Sequence, residues 1–408
     1  ATTVDNDPAA GFTVTQSSGS TAVSESGSTD TFTVVLTAEP DSNVVISVTS
    51  GDTGEATVSA SSLTFTTGNW DSAQTITVTG VDDDIIDGTI STTITLAVVD
   101  ASSDNNFDSL ADQTVTATTA DNDSAGFTVT QSSGSTAVSE SGSTDTFTVV
   151  LTAEPDSNVV ISVTSGDTGE ATVSASSLTF TTGNWDSAQT ITVTGVDDDI
   201  IDGTISTTIT LAVVDASSDN NFDSLADQTV TATTADNDSA GFTVTQSSGS
   251  TAVSESGSTD TFTVVLTAEP DSNVVISVTS GDTGEATVSA SSLTFTTGNW
   301  DSAQTITVTG VDDDIIDGTI STTITLAVVD ASSDNNFDSL ADQTVTATTA
   351  DNDSAGFTVT QSSGSTAVSE SGSTDTFTVV LTAEPDSNVV ISVTSGDTGE
   401  ATVSASSL

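Results

Sequence analysis

The side chains in this sequence that could do chemistry are carboxylates, and they come without helpers. The 408 residues hold 59 Asp and Glu but no Lys, Arg or His, giving a formal charge of -59, and Cys, Met and Tyr are absent too. In the first part of the chain the acids gather into short segments: Glu25-Ser26-Gly27, Ser50-Gly51-Asp52-Thr53-Gly54-Glu55, Asp82-Asp83-Asp84-Ile85-Ile86-Asp87-Gly88 and Asp121-Asn122-Asp123. Two carboxylates about 5 Å apart repel by roughly 1 kcal/mol in water and several-fold more beside protein, so a cluster from four segments accumulates on the order of 10 to 30 kcal/mol. A whole domain is stable by only about 5 to 15 kcal/mol. Such a cluster must take up protons, spread into solvent or bind cations. Hard oxygen donors, loop carbonyls and Gly hinges suit Ca2+, which takes about 6 to 8 oxygens at roughly 2.3 to 2.6 Å; Mg2+ prefers to keep its waters and a strict octahedron.

The same composition excludes other chemistry. Nucleic acid and anionic membrane surfaces need Lys or Arg to neutralise phosphate, and a polyanion is repelled by both. No apolar run approaches the roughly 20 residues of a membrane span. Paired carboxylates can hydrolyse glycosides, but no His, Lys, Cys, Tyr or Arg assists them here and no long insertion builds a cleft, so the expectation is a non-enzymatic chain. An EF-hand over Asp82 to Thr93 is rejected, because Ile86 and Thr93 stand where Asp or Asn and the bidentate Glu belong.

Positioning the acids is the task of strands. Apolar residues alternate in short runs rich in Val, Ile, Thr and Phe, the pattern of half-buried β-strands. Strands are expected near residues 11 to 16 with 20 to 24, then 31 to 38, 43 to 50, 56 to 66, 73 to 80, 89 to 99 and 113 to 120, seven in all, as an immunoglobulin-like sandwich needs. Inward positions are Phe12, Val14, Phe32, Val34, Leu36, Val44, Ile46, Val48, Val58, Leu63, Phe65, Trp70, Ile76, Val78, Ile94, Leu96, Val98, Phe107, Leu110 and Val115, with Thr and Ser filling most outward sites. Because antiparallel strands alternate direction, the connections sort by parity onto two poles. All four acidic segments then fall at the C-terminal pole. The opposite pole takes Glu39-Pro40-Asp41, Asn69-Trp70-Asp71 and the loop from Asp100 to Asp112.

The sequence matches itself at a shift of 115 residues, with Gly11-Phe12 returning as Gly126-Phe127, Gly241-Phe242 and Gly356-Phe357. This length suits one sandwich and is too long for the usual solenoid repeats. The expected organisation is residues 1–10 as the end of a preceding repeat and linker, repeats at 11–125, 126–240 and 241–355, and a partial fourth at 356–408. A sandwich cut at Leu408 would expose its core, so the chain reads as a window onto a longer array; completion of the half-domain by a neighbouring chain is the rival reading. The short segment after each acidic triplet, such as Ser124-Ala125, leaves successive domains nearly touching.

The succession Val23-Ser24-Glu25-Ser26-Gly27, Leu63-Thr64-Phe65 with Asn69-Trp70, Gln74-Thr75-Ile76-Thr77-Val78 leading into Val81-Asp82-Asp83-Asp84, and the closing Asp121-Asn122-Asp123 resembles Calx-beta domains and the related sandwich repeats of giant bacterial surface proteins. The likeness spans the whole unit. It implies an all-β tandem array of seven-stranded antiparallel Greek-key sandwiches that bind Ca2+ in their distal loops through Glu25, Asp82, Asp83, Asp84, Asp87, Asp121 and Asp123. Asp52 and Glu55 join them, from a loop that matches the family less well. The second copy supplies Glu140, Asp167, Glu170, Asp197, Asp198, Asp199, Asp202, Asp236 and Asp238. The third supplies Glu255, Asp282, Glu285, Asp312, Asp313, Asp314, Asp317, Asp351 and Asp353.

The function expected from these readings is a calcium-rigidified extension module of a bacterial extracellular adhesin or surface fibre. Metal at each C-terminal pole would tie the exit triplet to its own domain and to the near pole of the next, where Asp156 and Asp186 are candidates. Each domain would add on the order of 40 Å, from strands of seven or eight residues at about 3.4 Å per residue plus loops. The alternative is a self-associating subunit of an extracellular filament, sheath or matrix, with lateral copies of the chain as partners and calcium secondary.

Overall fold

The computed structural model describes residues 9–408 except 109. Of the leading segment expected at 1–10, residues 1–8 lie outside the described residues. The chain forms two compact units, one of Ala1–Asp197 with Thr204–Ala235 and the other of Asp198–Gly203 with Asp236–Leu408.

In the first repeat the strands are β1 (Phe12–Gln16), β2 (Thr21–Ser24), β3 (Thr29–Leu36), β4 (Val44–Ser50), β5 (Ala56–Val58), β6 (Ser62–Phe65), β7 (Gln74–Gly80), β8 (Thr89–Val98) and β9 (Gln113–Ala120). They make two sheets, β1-β3-β7-β5 and β2-β9-β8-β4-β6, and the second and third copies repeat both orders. The immunoglobulin-like sandwich therefore stands, with two of its seven expected strands each divided between the sheets. The first breaks at Gly19, whose φ of +80 favours glycine, and the fourth breaks between Val58 and Ser62. Asp30 holds the first break: its carboxylate accepts from Ser17 Oγ at 2.6 Å, the Ala22 amide at 3.0 Å and the Thr31 amide at 2.7 Å.

Dividing the first strand changes one pairing from the expected pattern. β2 runs parallel to β9, with Val23 beside Thr119 and Ser24 beside Ala120. Both strands thus deliver their C-terminal acids to the same end of the sandwich. Alternation completes the placement, since Thr21 and Val23 face inward on β2, and Val115, Ala117 and Thr119 face inward on β9. Glu25 and Asp121 are the next residues in these two inward series.

Between the sheets lies the core, with Phe32, Phe65, Ile46, Ile76, Ile94 and Leu96 fully buried in the first repeat. Every inward residue expected from alternation is in this cluster or packed against it, Trp70 among the partly buried ones. Val23, Ala56 and Ala117 add to it. Three threonines depart from the outward expectation: Thr21, Thr92 and Thr119 are buried, because they occupy inward positions of strands that end at the acidic pole. Residues 356–408 form a hairpin of Phe357–Gln361 with Phe377–Leu381, and Phe357, Val359 and Val380 are exposed there. No helix among the described residues is long and apolar enough to cross a membrane.

Candidate metal centre

The four acidic segments of the first repeat meet at one pole. Glu25 continues β2, and its amide donates to the Ala120 carbonyl at 3.1 Å, which sets it beside Asp121. Glu55 leads into β5; its carbonyl accepts from the Val81 amide at 2.9 Å and from Thr119 Oγ1 at 3.2 Å. These two hydrogen bonds tie the Ser50–Glu55 loop to the start of the acidic run and to the last strand. At the far end of the run, the Gly88 amide donates to Asp121 Oδ2 at 2.8 Å while the Asp121 amide returns a bond to the Gly88 carbonyl at 3.2 Å. Gly80 makes the crowding possible: a Cβ there would collide with the Ser24 carbonyl, so β7 passes directly under the residue preceding Glu25.

Glu25 is 1% exposed and Glu55 7%. One carboxylate oxygen from each of Glu25, Glu55 and Asp83 lies within 4.8 Å of the others, and the same holds for Glu25, Asp121 and Asp123, so Glu25 belongs to both triads. Glu25 Oε2 accepts from the Asn122 amide at 3.0 Å. Its other oxygen, with Glu55 Oε2 and Asp123 Oδ2, is buried with no hydrogen-bond partner. A buried anionic oxygen without a partner is strongly unfavourable, and the chain owns no Lys, Arg or His to relieve it.

The electrostatics follow from this crowding. Burial pushes the Glu25 carboxyl above its ordinary value, with Asp121, Asp83 and Asp87 adding repulsion against the pull of the Asn122 amide. Burial also raises Glu55, helped by Asp87 and Asp83, and raises Asp123, helped by Asp121, Asp84 and Asp82. Asp87, exposed in the loop, rises through the hydration its crowded neighbours displace and then through repulsion from Asp83, Asp121 and Asp156. Of the two acids expected from the near pole of the next repeat, Asp156 lies close enough to Asp87 to add to its repulsion, whereas Asp186 accepts locally from Ser187 Oγ at 3.3 Å.

Other expected residues lie at the margin. Asp82 is exposed and accepts from Asn122 Nδ2 at 2.7 Å. Asp84 is exposed as well. The Asp52 carboxylate accepts from the Gly54 amide at 2.9 Å, stapling its own loop, and belongs to neither triad. Asn122, not among the expected ligands, bridges Glu25 and Asp82; its position inside the acidic triplet is the signal the sequence offers for it.

Within the second unit the arrangement recurs. Glu255, Glu285 and Asp313 place oxygens within 4.8 Å of one another. Glu255 Oε1, Glu285 Oε2 and Asp353 Oδ2 are buried without partners. The Asn352 amide donates to Glu255 Oε2 at 3.0 Å and its side chain to Asp312 Oδ1 at 2.8 Å. Asp351 accepts from the Gly318 amide at 2.9 Å, and Asp317 adds to the repulsion that, after burial, raises Glu285. Asp282 again staples its own loop, through the Gly284 amide at 2.9 Å.

The corresponding residues of the middle copy are divided between the units. Glu140 and Glu170 are buried in the first, where Asp167 accepts from the Gly169 amide at 2.9 Å and Asp197 ends the segment. Asp198, Asp199, Asp202, Asp236 and Asp238 belong to the second, where displaced hydration and then Asp198 and Asp236 raise the exposed Asp202.

These donors fit a hard divalent cation. A Ca2+ ion about 2.3 to 2.6 Å from each ligand holds its oxygens no more than roughly 4.6 to 5.2 Å apart, and the oxygens of each triad lie within 4.8 Å of one another. Partnerless anionic oxygens are what such an ion would satisfy.

Fold and site together define a class, that of tandem immunoglobulin-like β-sandwich repeats with a carboxylate cluster at one pole. The chain belongs to the Calx-beta domain family, whose model matches residues 5–123, 120–238 and 234–354. No match was found among curated proteins. Similar solved structures include the calcium binding domain CBD12 of CALX1.1, at 14% identity, covering 49% of this chain and 80% of that one with a TM-score of 0.24. Domains 4 and 5 of the S-layer protein SbsC are 17% identical, covering 56% and 99% with a TM-score of 0.24. The titin I-band fragment I67-I69 is 8% identical, covering 84% and 98% with a TM-score of 0.23.

Proposed function

We propose that each complete repeat is a calcium-stiffened, non-catalytic spacer in a long extracellular protein of the bacterial surface, an adhesin stalk or fibre. The observation that carries this reading is the set of buried, partnerless oxygens of Glu25, Glu55 and Asp123, repeated at Glu255, Glu285 and Asp353. With no basic side chain in the sequence, their counter-charge must come from solution. Calcium-rich surroundings outside cells would keep such a site filled. Bound ions would fix the exit triplet, already tied by Asn122 to Glu25 and Asp82, and so fix the direction in which the chain leaves each repeat. Small-angle scattering of the full chain with calcium and with EGTA tests this. Calcium should narrow the distribution of dimensions; identical profiles in both conditions would defeat the spacer reading.

One observation favours lateral association as a second reading. Among the strand residues of the first repeat only Asp30 is charged, and the sheets pair threonine with threonine, as at Thr31 with Thr77, Thr33 with Thr75, Thr93 with Thr116 and Thr95 with Thr114. Uncharged faces on a strongly acidic chain are where copies could meet. Sedimentation at rising concentration in calcium should then show reversible assembly, and a constant monomer sinks this reading.

A further inference from the structure

Two isoleucines in the most acidic loop take no part in the carboxylate cluster, and they meet the following repeat, Ile85 through its backbone with its side chain exposed and Ile86 through its side chain. Within the first unit Ile85 forms a parallel bridge with Glu154, and the Glu154 amide donates to the Asp84 carbonyl at 2.7 Å. Ile86 packs against the core of the second repeat, and its carbonyl accepts from Asn221 Nδ2 at 3.5 Å. The second unit repeats the device. Ile200 bridges Glu269, whose amide donates to the Asp199 carbonyl at 2.7 Å; Ile201 packs against the core of the third repeat, and Asn336 Nδ2 donates to its carbonyl at 3.4 Å.

The same loop joins the dock to the cluster through Asp83. Asp83 supplies an oxygen to the triad with Glu25 and Glu55, and its Oδ1 accepts from the Ile85 amide at 2.8 Å. The loop is thus pinned by its own repeat at Val81 and Gly88 and by the next repeat in its middle. We propose that docking of Ile85 and Ile86 on the following repeat sets the cation affinity of the site that this loop serves. The inference rests on the cation reading above. Docking orders the loop before the ion arrives, so binding no longer carries that entropic cost. Linkage makes the effect reciprocal: the ion must strengthen the dock by the factor by which the dock strengthens the ion.

The test uses the full chain and calcium alone. In calorimetric titration the double variant Ile86→Ser with Ile201→Ser should bind at the sites of its two altered loops about 5- to 50-fold more weakly than the parent, a usual range for coupled sites. Should the double variant fail to fold, Asn221→Ala with Asn336→Ala loosens the receiving side and should weaken binding in the same direction. Amide exchange gives a second readout: calcium should slow exchange at Glu154 by about 10-fold in the parent and leave it unchanged in Glu25→Gln. A parent that binds calcium while the double variant binds equally well, with Glu154 exchange unaffected, overturns the coupling and leaves the cation reading standing. A parent that binds no calcium overturns both.

Discussion

At the residue scale the decisive feature is a glutamate that alternation carries inward. Glu25 follows Thr21 and Val23 on the buried face of β2, and its burial sets two forces against each other: desolvation and neighbouring acids favour its neutral form, while a bound cation would favour its charged form. Glu25→Gln should therefore raise the melting temperature in calcium-free buffer and weaken calcium binding by about 100-fold or more, since it removes one charge from a buried ionic cluster. Calorimetry and thermal melts report the two effects separately. The pH dependence has a defined sign. Glu25, Glu55 and Asp123 have folded pKa values above their unfolded ones, so their contribution is most favourable below the ordinary carboxylate range and is lost as pH rises through the raised values. Calcium-free chain should accordingly gain stability as pH falls from 7 toward that range. Asp30 works oppositely: its bonds from Ser17, Ala22 and Thr31 lower its pKa, so its contribution is present above the unfolded value and lost as pH falls through the folded one. Melts of Asp30→Asn against the parent across the acid range should show the difference between them closing at low pH.

At the scale of elements, the parallel pair β2 and β9 gathers the site, because two strands running the same way end at the same pole. Their junction with β7 requires Gly80. Gly80→Ala places a methyl group against the Ser24 backbone and should destabilise the repeat by about 1 to 3 kcal/mol. Gly68→Ala, whose methyl would meet only Thr66 Oγ1 at 3.9 Å, should stay within about 0.5 kcal/mol of the parent by denaturant titration. Much of this scale was readable from the sequence. Alternation located Phe32, Phe65, Ile76 and Ile94 because bulky apolar residues leave a period-two trace, and parity brought the four acidic segments to one pole. The splitting of the first strand was not readable as a change of pairing partner, since Ser17 to Ser20 look like any polar turn. Buried Ala56 and Ala117 escaped notice because a small side chain signals little, and buried Thr92 because threonine serves either face. Asp52 could not be separated from Glu55 by type; only the fold shows one carboxylate stapling its loop and the other turned inward.

At the scale of the whole molecule, the acids are confined almost entirely to loops while strand faces remain neutral, so charge and sheet surface are kept apart along the chain. Repetition multiplies whatever one pole does. Ile85 and Ile86 belong to this scale, and their role was hidden in the sequence because two apolar residues inside an acidic loop have no periodicity to interpret. Removing calcium should lower the melting temperature of every complete repeat and, by self-repulsion, more so at low ionic strength. Calorimetric scans in EGTA at two salt concentrations check that dependence. The claim beneath all of this is that the partnerless oxygens around Glu25 and Glu255 hold divalent ions. Elemental analysis of the full chain after dialysis into trace calcium tests it most directly. The account predicts tightly retained calcium, at least one ion for each of the two clusters, lost on substituting Glu25 and Glu255 together by Gln; a chain that retains no calcium and melts identically with and without it would contradict the account.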